Sequence, residues 1–180
     1  MEPKVRSDRG AVPPAVRPKL VKIESGVFAI FTWNDVVVVR WLGERATGPF
    51  VRLLADATGP LIAGFARKIS VVHMVTPRGE LPTAEGRAGL TEIMDRDGKH
   101  VACVAIILPE SGFWASAFQG FITGMHMVAP RSFALRIESS VAGVAQWLPH
   151  EHLQRTGTFI DPAELARALN DAWSWALPPA

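Results

Sequence analysis

The chain has one cysteine, Cys103, set in the apolar run "VACVAIIL". A single thiol cannot build an internal disulfide framework, so the fold must rest on core burial, and the composition suits a reducing cytoplasm. The simplest role for Cys103 is that of a small buried hydrophobe. No Walker loop is present, because "GELPTAEG" runs into Arg87-Ala88 where Lys and Ser or Thr are needed. Ser116 lies in "GFWASAFQG", which is not the G-x-S-x-G elbow of a hydrolase. The first residues lack the continuous apolar stretch of a signal peptide. Dense positive charge is missing as well. The formal charge is +2, and Lys4, Arg6, Arg9, Arg17, Lys19 and Lys22, set against Glu2, Asp8 and Glu24, account for more than all of it. The remainder is slightly acidic, which disfavours nucleic-acid binding, since phosphate contacts require clustered Lys and Arg.

What the chain does have is 180 residues, 48% of them hydrophobic and 20% charged, enough for one globular domain with its own core. Ser111 to Pro130 contains no Asp, Glu, Lys or Arg, and Gly120 and Gly124 stand at GxxxG spacing. Ser111, Ser116, Gln119, Thr123 and His126 dilute its hydropathy, so a helix buried in a protein core is expected in preference to a membrane span.

Residues 1–22 are rich in Pro and Arg without a sustained period and read as a flexible leader. "VFAIFTW" and "VVVVRWL", separated by Asn34-Asp35, read as a hairpin whose second strand is buried on both faces. A helix is expected after them, capped by Thr47 or Gly48, opened by Pro49 and kinked or split at Pro60. "ISVVHMVT" reads as a strand, and Thr83 to Asp95 as a helix turning Leu90, Ile93 and Met94 inward. "VACVAIIL" is a buried strand, followed by an apolar helix from Phe113 that Pro130 stops. "SFALRIE" alternates as a strand, and "SVAGVAQWL" closes as a short helix capped by Ser139 or Ser140.

The order is β-β-α-β-α-β-α-β-α, which implies an α/β fold with a mostly parallel sheet after an N-terminal hairpin and helices on the sheet faces. Residues 23–149 form this domain, and 150–180 read as a linker and an appended amphipathic helix starting at Asp161. That helix carries Leu165, Leu169, Ala172 and Trp173 on one face. It can dock on its own domain or form a homodimer contact, and membrane binding is disfavoured because its few charges balance.

The candidate chemistry is sparse. His150 and His152 could share a metal on an extended strand, but a third ligand is missing nearby, so a solvated linker is expected and no metal is assigned. His73 and His126 read as core or edge histidines, and His100 as a surface residue. Glu92 and Asp95 read as the solvent face of a helix. Trp33, Trp41, Trp114 and Phe118 could line an apolar ligand pocket, although ordinary packing predicts the same residues. Thr83 reads as a helix N-cap, the alternative being that this helix N-terminus, with Arg78 and Arg87 nearby, receives an anion or a phosphoryl group.

The element order, with "DVVVVRWLGE", "ELPTAEGRAGL" and "SFALRIESSVAGVAQWL", resembles the STAS-like (SpoIIAA-like) bacterial domains over Gly26 to Leu148. The resemblance implies a cytoplasmic, non-enzymatic regulatory or protein-interaction module, without a cofactor, whose partner is another protein. An apolar small-molecule or lipid binder is the second reading. In the phosphoregulated members of the wider group, the loop before the second helix carries an Asp-Ser-Ser-Gly-type motif with a phosphorylated serine. Here the matching stretch lacks the Asp-Ser pair and offers Thr83 and Gly86. The implied partner surface is Pro77, Arg78, Gly79, Pro82, Thr83, Gly86 and Arg87.

Overall fold

In a computed structural model, the residues described are 17–24, 26–42, 45–75, 81–109, 113–128 and 132–176, with the side chains at 113, 114 and 125–128 also outside the description. Three strands open the fold, β1 (Lys19–Glu24), β2 (Phe28–Trp33) and β3 (Val36–Trp41), paired antiparallel in sequence. The β2–β3 turn uses Asn34 at φ 49°, the left-handed backbone that an Asx residue tolerates. Helix α1 (Gly48–Ala63) leads to β4 (Ile69–Met74), α2 (Ala84–Asp97) and a 3-10 turn to β5 (Val101–Ile107), and α3 (Phe113–Val128) to β6 (Ala134–Glu138). Strands β3 to β6 are parallel, and the six strands lie side by side in chain order. Helices α4 (Val141–Thr156) and α5 (Pro162–Ser174) finish the chain.

That strand order dictates the layers. Right-handed crossovers that always step in one direction place their helices on one face. Accordingly α1, α2 and α3 cover one side of the sheet, packing on Ile30, Val37, Val39, Val71 and Ile106. The opposite side, with Phe31, Val38, Val72, Met74, Ala105 and Ile107, is covered by α4 and α5. Strand β3 lies between both layers, so Val36 to Val39 are all buried, as the run of four valines predicts.

Three expectations need correction. The leader ends in a strand: β1 pairs with β2 from Lys19, as an edge carrying Lys19 and Lys22. Helix α1 is not split at Pro60 but runs through it to Ala63, giving up the one intrahelical bond that the proline nitrogen cannot donate. The stretch 149–156 is helix and not linker; α4 absorbs Pro149 and ends at Gly157, whose φ of 74° suits a residue without a Cβ. The appended helix is present as expected and docks on its own domain, with Leu165, Ala168, Leu169 and Ala172 of α5 buried against the chain's own sheet. Arg40 of β3 reaches over to the Trp175 carbonyl at 3.0 Å and fastens the end of that helix. The caps at Thr47, Thr83, Ser140 and Asp161 form as expected. Among the described residues, no helix is long and apolar enough to cross a membrane.

Candidate functional site

Between the sheet and α1, α2 and α3 lies a cavity of about 100 Å³. Its floor is Val39 and Trp41 of β3, Val71 and His73 of β4, and Val104 and Ile106 of β5. Its roof is Leu54, Thr58 and Ile62 of α1, Leu90, Ile93 and Met94 of α2, and Phe118 and Ile122 of α3. The floor follows from β-strand alternation: in the observed register Val39 sits beside His73, and His73 beside Ile106, so these side chains share a face. The three inward residues expected on α2 are the ones that meet the cavity.

Three lining groups carry polar side-chain atoms of note. Thr58 donates its hydroxyl to the Leu54 carbonyl at 2.8 Å, within its own helix. The Asp97 carboxylate takes two bonds from the Arg96 guanidinium, 2.7 Å from Nε and 2.6 Å from the terminal nitrogen. Arg96 also reaches the Ala55 carbonyl of α1 at 3.3 Å, tying the two helices together beside a shallow groove that Asp97 also lines. His73 is the third. The Trp41 indole N–H donates to His73 Nδ1 at 3.0 Å, with the rings edge to face at 5.8 Å. Burial pushes the His73 pKa down to about 4, so the ring is neutral at pH 7. The residue is not fully enclosed, and it lines the cavity.

The opposite face holds a second buried histidine in a different setting. Ser70 Oγ of β4 and His152 Nδ1 of α4 are 2.8 Å apart, both residues fully buried between that helix and the sheet. Cys103 lies opposite Ser70 on β5, and burial pushes its thiol up to about 11, which leaves it protonated and unreactive at pH 7. Burial lowers the His152 pKa as well. His152 Nε2 is the one sealed side-chain polar atom without a hydrogen bond among the described residues.

The sequence-derived pocket divides. Trp41 and Phe118 line the cavity, whereas Trp33 lies on the other face of the sheet, packed with Phe31 and Val36. The reason is register: Trp33 is opposite Val36 across the turn and Trp41 is opposite Phe28, and these two pairs are five residues apart on β3, so their side chains alternate to opposite faces. The Trp114 side chain lies outside the described residues. Pro77, Arg78 and Gly79 of the corner also lie outside them. The rest of the corner is bonded to itself. Thr83 Oγ1 accepts from Gly86 N at 3.0 Å, Arg87 donates to the Pro82 carbonyl at 2.8 Å, and Thr83 N donates to the Ala46 carbonyl at 3.1 Å. A Cβ at Gly86 would overlap that same Ala46 oxygen, so only glycine allows α2 to start so close.

His150 and His152 stand two residues apart on α4, about 200° around a helix. His152 is therefore buried while His150 points outward and bonds Gln154 at 2.8 Å. His100 closes the 3-10 turn at Gly98–His100 and borders the shallow groove, and His126 falls in α3 where side chains are outside the description. The Trp41–His73 pair was not singled out in the sequence. Its only signal there is that each residue puts a ring bearing an N–H group on a valine-rich strand, and their meeting depends on a register that periodicity cannot supply.

The chain is thus an α/β protein built on one six-stranded mixed sheet with helices on both faces. No family model matches it, and neither a curated protein nor a solved structure does.

Proposed function

We propose that this chain is a binding module, not a catalyst, and that its ligand is a compact apolar molecule held between the sheet and α1, α2 and α3. The observation that carries this reading is the cavity of about 100 Å³, walled almost wholly by aliphatic and aromatic side chains inside an otherwise packed layer. Close packing is the rule in protein interiors, so a void of this size is a cost that a ligand offsets. Apolar cavities of roughly this size stay dry and admit molecules such as benzene. The volume suits a single ring better than a long acyl chain, which narrows the apolar-ligand reading to small molecules. The resemblance to STAS-like domains supports a regulatory use. A ligand would brace Leu90, Ile93 and Met94, and the helix that bears them is capped by Thr83, so occupancy and the Pro82 to Arg87 part of the corner are joined by one helix.

The test is a titration of the ¹⁵N-labelled full chain with benzene. Saturable shifts at Val39, Val71, Ile93 and Met94, abolished in a Val71→Phe variant that fills the space, are expected. Shifts that are absent, or that survive Val71→Phe, would sink the reading.

A further inference from the structure

Among the described residues, the cavity has one uncommitted side-chain polar atom, and its protonation is dictated by a neighbour. An indole N–H can only donate, so in the 3.0 Å contact with Trp41 the His73 Nδ1 must accept. A neutral imidazole whose Nδ1 accepts carries its proton on Nε2, and burial keeps this ring neutral. His73 therefore presents Nε2–H as a donor. No described residue accepts from it, and it is not sealed off, because the sealed, unbonded side-chain atom of the described residues is His152 Nε2. The ring lines the cavity, which lies within reach of that donor. The other polar groups there, the Thr58 hydroxyl and the Asp97 carboxylate, already have partners.

Resting on the cavity reading above, we propose that the ligand carries one hydrogen-bond acceptor, a carbonyl or ether oxygen on a compact apolar body, seated on His73 Nε2–H. A hydrocarbon would leave a buried donor unpaired, and a carboxylate would bring a full charge into an apolar space that offers it only a neutral donor. A neutral acceptor is the chemistry that meets both conditions. Trp41 acts here as a positioning residue: it touches His73 and selects the tautomer.

The experiment compares cyclohexanone with methylenecyclohexane, which differ in C=O against C=CH₂, by titration of the ¹⁵N-labelled full chain. Cyclohexanone is expected to bind about fivefold or more tightly. In His73→Phe the preference is expected to fall to about twofold or less while methylenecyclohexane binding is retained. Equal binding of the two probes by the wild type, or a preference that persists in His73→Phe, overturns the acceptor inference and leaves the cavity reading standing. Failure of both probes to bind overturns the cavity reading and this one with it. If His73→Phe does not fold, the wild type decides. Imidazole ¹⁵N spectra should show His73 protonated at Nε2, with that proton moving on addition of cyclohexanone and not of methylenecyclohexane. A ring protonated at Nδ1, or an Nε2 proton that does not respond, overturns the inference.

Discussion

The two faces of the sheet each bury a neutral histidine on β4 or against it, and they treat it in opposite ways. Under α4, His152 is wedged against Ser70 with its second nitrogen sealed and unbonded, in a layer whose main side chains are fully buried. Under α1, α2 and α3, His73 is held by Trp41 and its second nitrogen borders open space. Both rings are kept neutral by desolvation. What differs is the room around them. The α4–α5 layer uses its volume for packing, and an unmet polar atom there is a local cost with no outlet. The α1–α3 layer leaves volume unfilled, and an unmet polar atom there becomes a point of recognition.

The largest expected effect tests the packed face. Leu169→Ala removes a fully buried side chain from α5 and should cost about 2–5 kcal/mol, read from urea unfolding. A loss below 1 kcal/mol would mean that the tail helix contributes little to the fold. Acid comes next. Because the folded pKa of His73 lies below its ordinary 6.5, its contribution to stability is complete above about pH 6.5 and is lost as the pH falls toward about 4. That loss is up to about 3 kcal/mol for His73, and the lowered pKa of His152 acts in the same direction. Unfolding free energies measured between pH 7 and 4 should therefore slope downward. His73→Gln should flatten the slope, and an unchanged slope would contradict the burial of that ring.

Val71 and Val72 are neighbours in sequence on opposite faces, which makes them a direct comparison. Val72→Ile overfills the packed side and should cost about 1–3 kcal/mol. Val71→Ile points the same extra methylene into the cavity and should change stability by about 1 kcal/mol or less in either direction. Equal costs at the two positions would erase the distinction between the faces. The smallest effect belongs to the cap of α2. Thr83→Ala removes the acceptor for Gly86 N and should cost about 1 kcal/mol while loosening the roof of the cavity. Hydrogen exchange should then quicken in α2 and not in α4; faster exchange in both would tie the corner to the whole fold.

Much of the fold was legible in advance because local patterning carries it. The valine run of β3, the alternation in β6, the inward triad of α2 and the Thr, Ser and Asp caps are each set by residues close together in the chain. Strand β1 was missed because an exposed edge with two lysines has no apolar period to betray it. The "PHEHLQRT" stretch was read as linker because proline and paired histidines look like loop, while the burial of Pro149 and His152 within it comes from packing on β4 and β5. The candidate site was less legible. Trp41 and Phe118 were identified, but Trp33 was grouped with them because composition does not reveal the face on which a strand residue lies.

By itself the sequence determined an α/β chain with crossover helices, a core of valine-rich strands and where most of its helices begin, since periodicity and capping act over a few residues. The tertiary structure decided which side chains share a face, that α5 completes the core, and that Trp41 fixes the His73 tautomer beside an unfilled space. Those depend on strand register and on how closely three separate helices approach the sheet, which no local pattern encodes.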